Sequence, residues 1–233
     1  MRDENIIPKD VRFQVSLPPP TNVINANIDP AYQTFVEPRY ISAFLTTLRR
    51  IQDNIPATDL TIQFDLASEF AYLEGVATDP LKWILPLKGG LLDRVVNVAC
   101  AVDAEVELGF HFCYGDFQHK HFKEPKDMET LVDFANEVLS RVRVLRPVTW
   151  IHMPVPKNRT DRAYFAALKD LKIGDTEIYL GLLHKDDLNG TRKRIAPAQK
   201  FVPLFGISTE CGLGRADEAE LESVLNIAKE VLT

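Results

Sequence analysis

The sequence predicts an α/β protein built from repeated βα units around a parallel sheet. Six short runs rich in β-branched or aromatic residues recur along the chain, and helical apolar patterns separate them. Most of the runs read as continuously apolar, as expected of strands buried on both faces of a parallel sheet. Two architectures fit this alternation, a (β/α)-barrel and a doubly wound open sheet. No G-x-G-x-x-G or Walker-type glycine loop follows a strand, which leaves a nucleotide-binding open sheet little support. The residues capable of chemistry fall just past the C-terminal ends of several strands, where barrels build their sites. The expected fold is a TIM (β/α)8-type barrel, incomplete at its N-terminus, forming one domain over residues 1–233.

The predicted strands are residues 11–17, 60–65, 107–113, 148–153, 177–183 and 201–208. In PRYISAFLTTLRRI, Ile41, Phe44, Leu45 and Leu48 follow the i, i+3, i+4, i+7 spacing of an amphipathic helix, and Pro38 suits its first turn. Met128, Leu131, Phe134, Ala135 and Val138 repeat that spacing over residues 127–141, and Leu221, Val224, Leu225 and Ala228 repeat it in the last helix. The basic run TRKR, residues 191–194, reads as a solvated helix start. A closed barrel needs eight βα units and only six are found, so two are expected upstream of the first strand. An unclosed sheet leaves its first and last strands with unpaired apolar edges. The expectation is a six-stranded crescent that self-associates or is poorly stable.

Composition narrows the function. With 233 residues, 45% of them hydrophobic, the chain can bury one substantial core. A formal charge of −6 and no basic run argue against nucleic-acid binding. No apolar stretch approaches the roughly 18–20 residues that span a bilayer, and MRDENIIPKD lacks the apolar core of a signal peptide. Three cysteines without C-x-x-C spacing read as reduced thiols of a cytoplasmic protein.

The chemistry concentrates at strand ends. His111 and Cys113 stand two apart in ELGFHFCYGDF, so in a strand their side chains point to the same side, as two ligands of one metal must. Cys211, in GISTECGLGR, precedes glycines that let the backbone turn tightly toward a ligand. An imidazole and two thiolates from separate strands suit Zn²⁺. The five histidines fall at strand ends or in the loops after them: His111, with His119 and His121 beyond it, then His152 in WIHMPVP and His184 in GLLHKDD. Cys100, in VVNVACAVDA, reads as core packing. Asp65 ends the second strand and Glu69 follows four residues later; either could bind a substrate amine or tune a proton transfer, or be a helix cap or solvated acid.

These segments together resemble the C-terminal catalytic barrel of cobalamin-independent methionine synthase and its smaller relatives, in the superfamily of uroporphyrinogen decarboxylase. HFCYGDF is similar to that family's H-x-C-Y segment, which carries two zinc ligands, and STECGLGR to its P-D-C-G-L-x-x-R segment, whose Cys is another. TIQFD resembles the I-Q-I-D segment whose Asp contacts the amino-acid substrate, and LGLLHKDD the strand whose His is placed as a general acid. LPPPTNVI is similar to the T-G-P-V-T strand end. The order of all five agrees. The chain departs from the family where His152 stands in place of a Glu ligand, where Leu66 replaces a second acid, and where the first two barrel strands and the folate-contacting N-terminal domain have no counterpart.

The resemblance implies zinc held by His111, Cys113, His152 and Cys211, with Asp65 and Glu69 on the substrate and Asp65 and His184 in catalysis. The implied reaction is zinc-dependent methyl or alkyl transfer to a small, homocysteine-like thiol, as in 5-methyltetrahydropteroyltriglutamate–homocysteine methyltransferase and methionine biosynthesis. The expected partners are that thiol and a methyl or alkyl donor, with self-association through the open barrel edges. Two alternatives stay open: a metal-independent lyase or decarboxylase of the same superfamily, and a truncated, catalytically inactive barrel with an interaction role.

Overall fold

The computed structural model describes residue 4 and residues 6–76, 83–115 and 120–232. In chain order the elements are β1 (Phe13–Leu17), α1 (Pro20–Asn27), α2 (Gln33–Asn54), β2 (Leu60–Leu66), α3 (Ser68–Leu73), α4 (Leu87–Ala99), β3 (Glu107–Phe112) and α5 (Glu129–Val142). They continue as β4 (Trp150–Pro154), α6 (Arg162–Phe165) with a 3-10 turn at Ala166–Asp170, β5 (Glu177–Leu183), α7 (Leu188–Ala198), β6 (Gly206–Thr209), a 3-10 turn at Leu213–Arg215, and α8 (Glu218–Leu232). The six predicted strands all form. The last is shortened to its final residues, because residues 201–205 lead out of α7 as a loop.

All five strand pairings are parallel and the sheet order is β1-β2-β3-β4-β5-β6. A doubly wound sheet reverses its order at a switch point, and this one does not. Parallel neighbours are joined by crossovers, and residues of α2, α4 and α5 pack on the apolar face of the sheet. The result is a partial TIM-like barrel whose sheet is not closed: among the described residues, β1 pairs only with β2, and β6 only with β5.

The strands are not apolar on both faces, which corrects the sequence reading. Leu60, Ile62, Phe64 and Leu66 of β2, Leu108, Phe110 and Phe112 of β3, and Leu180 and Leu182 of β5 are fully buried against the helices. Residues of opposite parity, among them Gln14, Ser16, Gln63, Glu107, Trp150, Glu177 and Tyr179, line an open groove of about 860 Å³ on the inner face. A closed barrel of this type fills its interior with layers of branched apolar side chains. Here that interior is polar. Alternation is legible in β2 as L-T-I-Q-F-D-L, but aromatic and small residues at inward positions mask it elsewhere.

The outer face holds one continuous core joining the strands to α2, α4 and α5. A stack of rings runs through it: Phe70 meets Phe112 and Phe134 edge-on, each with centroids 5.5 Å apart. Each such side chain, fully buried, contributes roughly 1.5–3 kcal/mol from its area. Three local expectations change. Helix α2 begins five residues before Pro38, which sits inside it. Cys100 is exposed at the C-terminal end of α4 and is not core. In TRKR only Arg192 and Lys193 are solvated; Thr191 and Arg194, three apart on the sheet-facing side of α7, are fully buried.

Candidate metal centre

Strand alternation sets the site. In β3, Leu108, Phe110 and Phe112 point into the core, so Gly109 and His111 must face the groove, and Cys113 follows them. His111 and Cys113 are 6% and 4% exposed, so any ligand they hold is largely withdrawn from water. Cys211 arrives from the edge of the sheet, just past β6. Gly212 turns the chain there with φ 92°, a left-handed conformation in which a side chain would be strained. The ligand atoms of His111, Cys113 and Cys211 lie within 4.8 Å of one another, brought together across nearly a hundred residues.

The donor set fits a soft divalent cation. His111 leaves Nδ1 buried with no hydrogen-bond partner. Gly115 donates its N–H to Cys113 Sγ at 3.2 Å. A hydrogen bond with Cys211, followed by burial, pushes the Cys113 thiol far above the ordinary range. A zinc ion would reverse that preference and stabilise both thiolates.

His152 lies beside this trio but outside it. The parallel register pairs it directly with His111, and the two rings stack with centroids 4.6 Å apart and planes 21° from parallel. Burial, then the neighbouring His111, pushes its pKa well below the usual imidazole value. It is hydrogen-bonded to the Thr209 backbone, and its Nε2 is buried without a partner. His152 is not among the residues whose donor atoms all lie within 4.8 Å of one another.

Asp65 reaches the groove level with His111, which is its register partner across β2 and β3. Gln63 Nε2 donates to its Oδ1 at 2.8 Å. Burial raises the Asp65 pKa, and the nearby His111 opposes that rise. Glu69 is different. It sits in the first turn of α3, fully buried, with neither carboxylate oxygen partnered, and burial pushes its pKa up to about 7. It is enclosed by the fold and lines none of the cavities described here.

His184 follows β5 at the rim of a second cavity of about 550 Å³, which shares Thr209, Glu210 and Cys211 with the groove. Its Nε2 lies 2.9 Å from the Val155 carbonyl and its Nδ1 3.7 Å from Glu210 Oε2. Burial, then Arg194, lowers its pKa to about 4, so the ring is neutral at pH 7. Glu210 also faces His121 Nε2 at 3.4 Å, and burial raises its own pKa. The sequence reading passed over Glu210, although it immediately precedes Cys211. His119 lies outside the described residues.

Arg194 holds this rim in place. Its guanidinium donates to the Leu182 carbonyl from Nε at 3.1 Å and from Nη2 at 2.9 Å. From Nη1 it donates to the Lys157 carbonyl at 2.6 Å and to Asp187 Oδ2 at 2.9 Å. One buried charge thus ties the end of β5, the loop after β4 and the start of α7.

No family profile matches the chain, and comparison with curated proteins finds no match. Solved structures do. A protein from Listeria monocytogenes assigned as a vitamin-B12-independent methionine synthase superposes with a TM-score of 0.59 at 16% identity, over 94% of this chain and 63% of that one. A B12-independent methionine synthase from a Shewanella species, solved in complex with selenomethionine, gives 0.57 at 15% identity, over 95% and 62%. The fold is shared. The chain spans less than two thirds of the length of either protein.

Proposed function

We propose that this chain binds zinc through His111, Cys113 and Cys211 and transfers a methyl or alkyl group to a small thiol. The observation that carries this reading is the convergence of those three donor atoms within 4.8 Å, from the ends of β3 and β6, which two other strands separate in the sheet. The structural neighbours, B12-independent methionine synthases by description, support thiol methylation on a related fold. Bound zinc would supply Lewis acidity that lowers the thiol's pKa and keeps the resulting thiolate available for attack.

The chain's own residues do the rest. His111, Cys113 and Cys211 hold the ion, and His152 stands against His111 as the candidate fourth donor. Asp65, steadied by Gln63, faces the groove where a substrate amine would pair with a carboxylate. His184, with Glu210 beside it, is assigned the handling of the thiol's proton at the rim. Glu69 takes no part in this scheme. The metal-independent lyase reading loses ground because it leaves two thiols and a partnerless buried imidazole nitrogen unexplained.

The test is zinc analysis of the purified chain with a thiol titration followed on the Co²⁺-substituted protein. One zinc per chain and a thiolate-to-cobalt absorption band on adding homocysteine are expected. A chain that purifies without zinc and takes up none when it is offered would end the proposal.

A further inference from the structure

The groove on the inner face of the open sheet has a built floor. A Cβ on Gly109 would collide with the Trp150 indole, and one on Gly206 with the Tyr179 ring. Each ring therefore lies against the glycine of a neighbouring strand, and both residues are part-buried and line the groove. Their polar edges are anchored: Trp150 Nε1 donates to Gln63 Oε1 at 3.4 Å, and Tyr179 Oη to Glu177 Oε2 at 2.8 Å.

The register places this floor against the metal centre. Tyr179 pairs with His152, which pairs with His111, and Trp150 pairs with Gly109 one step below. The lining carries five carboxylates against two guanidinium groups, and one of those, Arg12, is already paired with Glu107 at 3.2 Å. His152, which is 8% exposed, lines the same groove with its Nε2 unpartnered. Aromatic rings in a groove of net negative charge favour a cation that is weakly hydrated and can leave water for a ring surface.

The geometry points to a subsite for an onium ion, a sulfonium or quaternary ammonium group seated on Trp150 and Tyr179, as the methyl donor. This rests on the thiol-methylation reading and names its second substrate. An onium is weakly hydrated and is attracted by the electron-rich faces of aromatic rings, with surrounding carboxylates adding to the attraction. In the transfer, the thiol first gives its proton to a base. The thiolate lone pair then forms the new C–S bond as the methyl carbon's bond to the cationic sulfur or nitrogen breaks. That bond's electron pair stays on the departing atom, which leaves neutral. The leaving group needs no proton, in keeping with a His184 whose Nε2 is engaged by the Val155 carbonyl.

The experiment is calorimetric titration of the full chain with choline and with 3,3-dimethylbutan-1-ol, its uncharged isostere. It is run metal-free and with one equivalent of zinc. Choline should bind in both states at least roughly tenfold tighter than the alcohol, and Trp150→Leu should remove about tenfold or more of that affinity. Glu177→Gln should weaken choline by about threefold. Circular dichroism checks each variant, and Tyr179→Leu serves if Trp150→Leu does not fold. Equal affinity for the two compounds, or choline binding that survives loss of either ring in a folded variant, overturns the subsite. Choline binding by a chain that takes up no zinc would retire the metal reading and keep the onium site. Zinc binding with indifference to choline would do the reverse.

Discussion

The two faces of the same six strands follow opposite rules. On the outer face, alternate residues of β2 and β3 are aliphatic or aromatic and sealed under helices. On the inner face, the residues between them are amides, acids, hydroxyls and two half-exposed rings lining an open groove. Apolar packing is therefore concentrated on one side of the sheet and the candidate metal donors on the other, although the positions are adjacent in sequence. A closed barrel would need both faces apolar at this depth. The polar inner face suits water or a polar ligand, so the missing closure does not leave an apolar interior exposed.

The sharpest way to break this comparison is through the cysteines. Cys211→Ala, on the groove side, should lower zinc affinity by about a hundredfold or more, whereas Cys100→Ala, at the exposed end of α4, should leave it unchanged. Metal analysis after dialysis against a weak chelator reads both. Stoichiometric zinc retained by the Cys211→Ala protein would remove this residue from the ligand set.

Next is a pair of truncations one strand apart. Phe110→Ala empties a fully buried ring site and should cost about 3–5 kcal/mol, while Gln63→Ala, facing the groove, should cost less than about 1 kcal/mol. Urea unfolding separates them. Comparable losses would mean that the inner face is packed after all.

Glu69 violates the division, since it is a carboxyl on the sealed side. Its pKa of about 7 in the folded chain exceeds the unfolded value, so the folded state binds the extra proton. The stability associated with that proton is fully present below about pH 4.5 and is lost as pH rises through about 7. Glu69→Gln should therefore melt higher than the parent at pH 8, by roughly 3 kcal/mol in stability, and match it near pH 4. A pH-independent difference between the two proteins would show that the carboxyl titrates normally.

The smallest expected effect is at the sheet edges. Phe13 on β1 is 63% exposed beside an unpaired strand edge, so weak, concentration-dependent association is expected. Phe13→Lys should shift sedimentation-velocity profiles toward monomer with little change in melting temperature. Unchanged sedimentation of parent and variant over a hundredfold concentration range would place association elsewhere or nowhere.

Several features were readable from the sequence because local rules determine them. The six strands and the helices over residues 38–51 and 127–141 follow from apolar spacing alone. The shared orientation of His111 and Cys113 follows from the period of two in a strand, and the turn after Cys211 from its glycine. Other features depend on what lies across the fold. Arg194 looked solvated because two basic residues precede it; the carbonyls of Leu182 and Lys157 and the carboxylate of Asp187 make its burial favourable. Glu69 looked like a mouth residue because distance along the chain does not say which way a helix turns. The inner face looked apolar because a glycine beneath a ring, as at Gly109 and Trp150, is a pairing between strands that neither strand encodes by itself. The convergence of Cys211 with His111 and Cys113 was suspected from residue type. Parallel register and curvature of the sheet decided it, bringing the ends of β3 and β6 to one place while setting His152 beside His111 instead of within the cluster.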